Sequence, residues 1–406
     1  FFISCSLDKD VVNLYSDNSD TTLIKINNFY CGIDLESRMI LLPYNFQHQD
    51  NFEAKVEFSD TYYNQVKINN KDIMSGDLYD FGNVTVSDTF SIELDDAGKL
   101  ESYNLIFTPL STVIFYTDQE IQDEPKILSE LYINDLITNT SHEFISGIEI
   151  RGGTSQTYPK VSYNLEVWDN YNTSRTKDIQ IFDLRSDDDW ILDAMYIDLS
   201  LSRNLFAMKI WNEFASSVNI VNHDAKLFQS GTFIELFINN EYLGVYSFNE
   251  QMDRKQLGLQ KDGGILYKSR FWTDETKLNG INFMPDSSLY WAGFELKYPD
   301  YFDVMNWLPI YNLIDLIAYS DDARFNSSIN SYIDIDNAID YFIFINLIQA
   351  SDNYGKNMFY YRFDEGFPLS INPWDLDLTF GNTNSIWTSN ISNELMITNS
   401  LFERLY

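Results

Sequence analysis

The chain has 406 residues and a formal net charge of −34, from 61 acidic and 27 basic side chains. This length predicts two or three domains with enough apolar mass for a real core, and the ordinary hydrophobic fraction argues against wholesale disorder. Such an acidic surface repels phosphate backbones and anionic membranes. We therefore expect no nucleic-acid partner, and we favour a basic protein substrate or divalent cations as partners. The alternative is an acidic surface that only keeps the protein soluble.

Residues 1–5 read as the end of an apolar signal segment, because apolar residues, a small residue and then Cys5 follow one another as in a bacterial lipoprotein lipobox. On this interpretation Cys5 is lipidated and the protein is extracytoplasmic, an outer-membrane or cell-surface lipoprotein. Membrane contact would then come only through this anchor, since no apolar run is long enough to span a bilayer. A buried free Cys5 and a Cys5–Cys31 disulfide are the open alternatives.

The sequence pattern of residues 6–110 predicts a β-sandwich module of immunoglobulin-like type. Short alternating runs, such as those at 22–26, 54–58 and 90–94, are separated by turn signals. No catalytic constellation is visible in this region, so a spacer or adhesion module is the economical interpretation.

The sequence pattern of residues 111–406 predicts an α+β domain in which an antiparallel sheet adjoins a helical lobe. Hydrophobic periodicity predicts helices over 199–214 and 340–349. Hairpins are predicted over 233–246, with an Asn-containing turn, and over 358–371. The last residues, 399–406, read as the first turns of a helix with nothing after it, so we expect the domain to be truncated at its C-terminus.

Asp352 and Asn357 lie five positions apart, and the acidic segment with Asp375 and Asp377 follows closely. This is how a phosphotransferase arranges one carboxylate to orient a hydroxyl and other oxygen ligands to hold Mg²⁺ or Mn²⁺. We therefore predict Asp352 as the catalytic residue and Asn357, Asp375 and Asp377 as metal ligands. If 375–377 is a strand, the two carboxylates point to opposite sides and only one reaches the metal. Surface turn acids are the alternative.

Basic and polar residues upstream could bind ATP. Lys268 closes an apolar strand and could neutralise phosphates, as a strand Lys does in protein kinases. Glu250 is the candidate to hold Lys268 by an ion pair, and Glu295 competes for that role. The side chains that could bind phosphate on the glycine-bearing loop are Arg151, Ser155 and Lys160.

These segments together resemble the CotH kinase family, the atypical kinases first associated with spore coats. The matches run in family order over residues 150–155, 159–163, 188–192, 200–204, 241–246, 264–268, 352–357 and 373–381. The resemblance covers about residue 111 to the end, and it favours Asp375 over Asp377 as the metal ligand. Two departures are Val161, where the family often has a second Lys, and Tyr354-Gly355, where it often has His.

The resemblance implies a protein kinase that transfers the ATP γ-phosphate to Ser or Thr with Mg²⁺ or Mn²⁺. The alternative is a non-catalytic surface lipoprotein whose kinase-like scaffold binds an envelope protein complex or a carbohydrate, because function depends on the site and not on the fold. A third interpretation keeps the nucleotide chemistry but transfers another group.

Overall fold

The computed structural model describes residues 24–47, 51–59, 62–96, 98–171, 175–215, 226–286, 288–301, 303–382 and 397–406. The described residues form the predicted mixed α+β fold, and strands predominate in it. The N-terminal part is rich in strands. Cys5 lies outside the described residues, whereas Cys31 is a free and fully buried thiol. No helix in the described part of the chain has the length and apolar character that a membrane span needs.

The strands before the glycine-bearing loop are β1 Lys25–Ile26, β2 Phe29–Tyr30, β3 Gly32–Asp34, β4 Met39–Pro43, β5 Phe52–Glu57, β6 Tyr63–Ile68, β7 Lys71–Ile73, β8 Leu78–Gly82, β9 Thr89–Asp96, β10 Lys99–Thr108, β11 Ser111–Tyr116, β12 Ile127–Asp135 and β13 Thr140–Arg151. The later strands are β14 Ser162–Trp168, β15 Asp189–Asp193, β16 Gly231–Ile238, β17 Glu241–Glu250, β18 Ile265–Ser269, β19 Tyr290–Trp291, β20 Phe294–Tyr298, β21 Met358–Arg362 and β22 Ser370–Pro373. The helices are α1 Arg203–Phe214, α2 Leu308–Tyr319, α3 Asp322–Ser328, α4 Ile335–Leu347 and α5 Ser400–Leu405, with short 3₁₀ turns at Thr154–Thr157, Val304–Trp307 and Ile329–Ser331.

The chain divides into two compact units. The first consists of Phe1–Glu149, Leu165–Asp188 and Phe233–Tyr246, and the second of Ile150–Asn164, Asp189–Thr232 and Ser247–Tyr406. The predicted domain boundary near residue 110 stays a prediction.

The N-terminal strands form a four-stranded sheet, β2-β1-β5-β8, and a six-stranded sheet, β3-β4-β10-β9-β6-β7. Both sheets contribute to one apolar core, in which Val56 and Phe81 of the first sheet pack with Ile92 and Phe107 of the second. Alternating burial along β5 and β10 fits strands with one face in this core and the other in solvent.

The other strands form a closed barrel, in the order β11-β12-β13-β14-β15-β17-β16, and a five-stranded sheet, β19-β20-β18-β21-β22. In the second unit, the five-stranded sheet shares a large core with helices α1 to α5. Tyr267 of β18, Tyr360 of β21 and Ile371 of β22 are fully buried there beside Leu313 of α2 and Phe344 of α4. This core fixes the central strand β18 and the hairpin β21–β22, from which the candidate site is built.

Both predicted hairpins are confirmed, since β16 neighbours β17 and β21 pairs with β22. The first turns at Asn239 and Asn240, both with positive φ, a conformation that Asn tolerates well.

The helix predicted over 199–214 begins later, at Arg203. The backbone N–H groups of Ser200, Ser202 and Arg203 donate to the Asp198 carboxylate at 2.8–3.0 Å, and Leu201 has a φ of +54°. The helix predicted over 340–349 begins earlier, at Ile335, where the Asp334 side chain caps it by accepting from the Asn337 N–H.

Candidate active site

The loop between α4 and β21 carries the predicted catalytic Asp. Asp352 Oδ2 accepts a 2.8 Å hydrogen bond from Asn357 Nδ2 and lies 3.0 Å from Lys356 Nζ. Asn357 is buried and has a φ of +54°, a left-handed conformation that Asn adopts more readily than most residues. The amide nitrogen of Asn357 thus donates to Asp352, and its amide oxygen accepts no hydrogen bond from the residues that the structure describes.

A buried asparagine, Asn353, fastens this loop to the segment that follows β22. Its Nδ2 donates to the carbonyl oxygens of Asn357 and Trp374, both at 2.7 Å. Sequence reasoning assigned Asn353 no role, because a fully buried amide cannot be told from a turn residue by spacing alone.

Strand register brings Asn357 next to Trp374, the residue that precedes Asp375. The antiparallel pair β21–β22 places Met358 opposite Pro373, so the residues just outside the pair are neighbours. The Trp374 N–H accordingly donates to the Asn357 carbonyl oxygen at 3.1 Å. Two segments separated in sequence are therefore held together by one hairpin.

The possibility that residues 375–377 form a strand is wrong. β22 ends at Pro373, and Asp375 has a φ of +58°. The strand argument for opposite side-chain directions therefore does not apply. Both carboxylates experience the negative charges of Asp193 and Asp352. Asp377 is half-buried, whereas Asp375 is exposed to solvent although protein atoms surround it densely.

The pKa values of both carboxyl groups are raised. The loss of hydration caused by the surrounding protein atoms raises the pKa of Asp375, reinforced by the negative charge of Asp193 and opposed by the positive charge of Lys268. Burial and the charges of Asp375 and Asp193 raise the pKa of Asp377 to about 9. Crowded carboxylates that resist ionisation gain the most from a cation.

Asp193, the last residue of β15, is a member of this cluster that sequence reasoning missed. Its Oδ1 accepts from the Ser162 hydroxyl at 3.3 Å and from the Met195 N–H at 3.0 Å. A carboxylate that ends a buried strand was the available signal. Because Asp193 lies far from Asp375 along the chain, the sequence did not show that the two carboxylates interact.

Two asparagines tie the segment after β15 to the Asp375–Asp377 segment. Asn204 Oδ1 accepts from the Leu376 N–H at 3.0 Å. Asn382 Nδ2 donates to the carbonyl oxygens of Ile197, at 3.1 Å, and Asp377, at 2.8 Å. These bonds fix the backbone on both sides of Asp377.

Lys268 lies in β18, directly opposite Phe359 of β21 and Glu295 of β20. Its ammonium lies 5.2 Å from the ring centroid of Trp374 and 6.0 Å from that of Phe359. Burial lowers the pKa of Lys268 to about 7, and the positive charges of Arg151 and Lys297 add to this effect. A cation so placed would be stabilised by an arriving anion such as a phosphate.

The predicted ion pair between Glu250 and Lys268 is wrong. Lys268 has no carboxylate within 4.0 Å in the described parts of the chain. Glu250 is fully buried, with Oε1 3.8 Å from Lys226 Nζ and Oε2 accepting from Gln256 Nε2 at 3.0 Å. Glu295, the competing residue, lies opposite Lys268, but its nearest cations are Lys297 at 3.3 Å and Arg270 at 3.5 Å. A role of Glu250 in nucleotide binding stays a prediction.

The glycine-bearing loop begins where β13 ends, at Arg151, and Ser155 lies in the following 3₁₀ turn. Arg151, Ser155 and Lys160 are all half-buried. Gly152 has a φ of +112°, and a Cβ added to it would overlap the Ser155 hydroxyl, so only glycine fits there. The structure thus brings Arg151 near Lys268, and phosphate contacts by Ser155 and Lys160 stay predictions.

The donor chemistry of this cluster fits a hard divalent cation. Asp375 and Asp377 would supply carboxylate oxygens whose charged forms are unfavourable without a cation. Asn357 would supply an amide oxygen that accepts no hydrogen bond within the described part of the chain. Oxygen-only donor sets suit Mg²⁺ and Mn²⁺. The residues present therefore fit the implied metal.

Comparison with known proteins identifies the family to which the chain belongs. A carboxylate on a loop, carboxylate and amide oxygens for a cation, and a strand lysine define a kinase-like class of site. The family model described as CotH kinase protein matches residues 148–405, and the chain belongs to the CotH kinase family.

The chain is also similar to a curated bacterial protein. The chain is 23% identical over 236 residues to the inner spore coat protein H of Bacillus subtilis (strain 168). The match covers 58% of this chain and 58% of the relative's own length.

Proposed function

We propose that the protein is an atypical protein kinase that transfers the γ-phosphate of ATP to Ser or Thr of a protein in a divalent-metal-dependent reaction. The observation that carries the proposal is the convergence of Asp352, Asn357 and Asp375 with Lys268 within one unit. Phosphoryl transfer needs positioning and charge neutralisation more than covalent chemistry, and these residue types supply both.

In the proposed reaction Asp352 orients the acceptor hydroxyl and accepts its proton. Asn357 fixes the Asp352 carboxylate through its Nδ2 and, with Asp375 and Asp377, would hold the cation. When bound, the cation would neutralise charge on the phosphates. Lys268, with Arg151 nearby, would neutralise the nucleotide phosphates from the side of the sheet. Ser155, Lys160 and Glu250 are assigned to nucleotide binding in the same proposal.

The transfer assay with labelled ATP, Mg²⁺ or Mn²⁺ and a Ser/Thr-containing basic protein tests this proposal. Asp352→Ala and Asp375→Ala should each reduce transfer at least about 10³-fold, since each removes a group that acts in the transition state. Circular dichroism and thermal melting should show that both variants still fold. Two folded variants that transfer phosphate at the wild-type rate would refute the assignment.

A non-catalytic scaffold that binds an envelope protein complex or a carbohydrate is the second candidate. The observation that favours it is the left-handed, solvent-exposed Asp375, which leaves the metal ligand set open. A thermal-shift measurement with Mn²⁺ and ATP discriminates the two, because a ligand that binds the native state raises its apparent stability. An unchanged melting temperature at millimolar ligand would favour the scaffold.

The relative's name, inner spore coat protein H, supports placing this protein outside the cytoplasm. We extend the proposal to a bacterial surface lipoprotein anchored at Cys5, with the N-terminal strands as an immunoglobulin-like module and residues 111–406 as kinase-like lobes. Labelling with a radioactive fatty acid in a bacterial host, with Cys5→Ser as the control, tests the anchor. Equal labelling of both proteins would refute it.

A further inference from the structure

A lysine in the catalytic loop contacts the predicted catalytic Asp. Lys356 Nζ lies 3.0 Å from Asp352 Oδ2, and their side chains are 31% and 19% exposed. Asn357 Nδ2 donates to the same oxygen at 2.8 Å. Oδ2 is therefore occupied by two donors, whereas Oδ1 accepts no hydrogen bond from any residue that the structure describes. Oδ1 is the oxygen open to an acceptor hydroxyl.

The Lys356 ammonium also acts electrostatically on Asp375, the predicted metal ligand, although Asp375 follows a different strand. Lys356 thus adjoins the carboxylate that would take the hydroxyl proton and lies near the carboxylate assigned to the metal. In the proposed reaction, a phosphoryl group would pass from a nucleotide on the Asp375 side to a hydroxyl at Asp352, and Lys356 would lie beside its path. An ammonium has three N–H donors, so one bond to Asp352 leaves two for phosphoryl oxygens.

We propose that Lys356 is a further catalytic residue, which donates a hydrogen bond to an equatorial oxygen of the phosphoryl group during its transfer. This inference rests on the proposed kinase function. The bond between the acceptor oxygen and Pγ forms as the bond between Pγ and the β,γ-bridging oxygen breaks. The hydroxyl proton passes to Asp352, ADP leaves with the bridging oxygen, and Lys356 stays protonated throughout.

This role differs from that of Lys268. Lys268 makes only ring contacts and no ion pair among the described residues, and it is assigned to the phosphates of the bound nucleotide. Loss of Lys268 should therefore raise KM for ATP. Loss of Lys356 should instead lower kcat, because its contact with the moving group is made in the transition state.

The test compares Lys356→Met and Lys356→Arg with Lys261→Met, a control that removes the same charge from an exposed position in the same unit. Because the Lys356–Asp352 pair is partly exposed, both variants should fold, and thermal melting checks this. Lys356→Met should lower kcat about 10²-fold or more with KM for ATP changed little. Lys356→Arg should retain more activity than Lys356→Met, and Lys261→Met should match the wild type.

A second measurement uses the complex of Mg·ADP with aluminium fluoride, which mimics the phosphoryl group in flight. Calorimetry should show that Lys356→Met weakens binding of this complex by a factor similar to the loss in kcat, with Mg·ADP binding unchanged. A lysine that only neutralises Asp352 would not produce this difference.

The outcomes separate the two proposals. Active wild-type protein together with a Lys356→Met variant of unchanged kcat, or of unchanged affinity for the fluoride complex, overturns the inference alone. Wild-type protein that neither transfers phosphate nor binds either ADP complex overturns the proposed function and the inference together.

Discussion

Asp375 and Asp377 are two carboxyl groups of the site whose charged forms are disfavoured. Both have raised pKa values because burial and neighbouring carboxylates, including Asp193, disfavour their charged forms. The pKa of Lys268, in the same unit, is instead lowered to about 7, so its charged form is disfavoured as well. Separated pKa values of this kind are characteristic of functional sites, and they make the metal-free protein sensitive to pH.

Metal affinity should rise with pH. The pKa of Asp377 is raised to about 9, so below that pH its proton must leave before the carboxylate can ligate a cation. We expect the Mn²⁺ association constant to increase between pH 6 and 8, by up to about tenfold per pH unit for each proton released. Calorimetry in two buffers of different ionisation enthalpy measures both affinity and proton release. Asp377→Asn should flatten the dependence, and a pH-independent affinity in the wild type would contradict the expectation.

Lys268 should make the metal-free protein more stable as pH rises from about 7 toward 10. In this range the unfolded chain protonates the lysine, whose ordinary pKa is 10.5, whereas the folded chain does not, so protons favour unfolding. The contribution to the free energy of unfolding should rise by at most about 1.4 kcal/mol per pH unit. Urea titrations in EDTA at pH 7, 8 and 9, with Lys268→Met as the reference, isolate this contribution. A constant difference between the two proteins would refute it.

At the scale of elements, the site depends on where strands end. Asn357 precedes β21, Asp375 follows β22 and Asp193 closes β15. The buried amide of Asn353 bonds the first two of these ends together. The glycine-bearing loop likewise leaves the end of β13 at Arg151. Loops fixed by rigid strands are typical positions for binding groups.

Gly152→Ala tests the glycine-bearing loop. The new methyl group would overlap the Ser155 hydroxyl at a backbone φ of +112°, so the loop must rearrange. We expect nucleotide affinity to fall about tenfold and stability to fall by about 1–3 kcal/mol. Gly153→Ala is the control and should lose less, because its φ is −108° and its added methyl meets no atom within 4 Å. Equal behaviour of both variants in nucleotide-binding calorimetry would argue against a phosphate-binding role for the loop.

The sequence predicted what is local. The hairpin β21–β22, the Asn239-Asn240 turn and the spacing of Asp352 and Asn357 follow from short-range periodicity and turn chemistry. Asp193 could not be found in this way, because the hydrogen bonds of Asn204 and Asn382 bring its segment to Asp377 only in the folded chain. The ion pair of Lys268 with Glu250 was wrong for the same reason, since Lys226 and Gln256 reach Glu250 from other parts of the second unit.

At the scale of the whole molecule, the net charge of −34 should bias the protein toward basic acceptors. We expect a Lys- or Arg-rich Ser/Thr peptide to have a lower KM than a neutral peptide of the same length. Its KM should rise with added salt, because ions screen the attraction between exposed charges. Initial rates at about 20 mM and 300 mM NaCl measure this, with the neutral peptide as the control. If an acidic peptide were a better substrate than the basic one, we would conclude that the negative charge serves solubility alone.

We propose that this protein transfers a phosphoryl group to Ser or Thr. Mass spectrometry of a Ser/Thr acceptor, incubated with ATP, Mg²⁺ and either wild-type protein or Asp352→Asn, tests it most directly. We expect the wild type to add phosphoryl groups to Ser or Thr, and Asp352→Asn to bind the nucleotide but leave the acceptor unmodified. An acceptor that carries a nucleotidyl group, or one modified equally by both proteins, would contradict the claim.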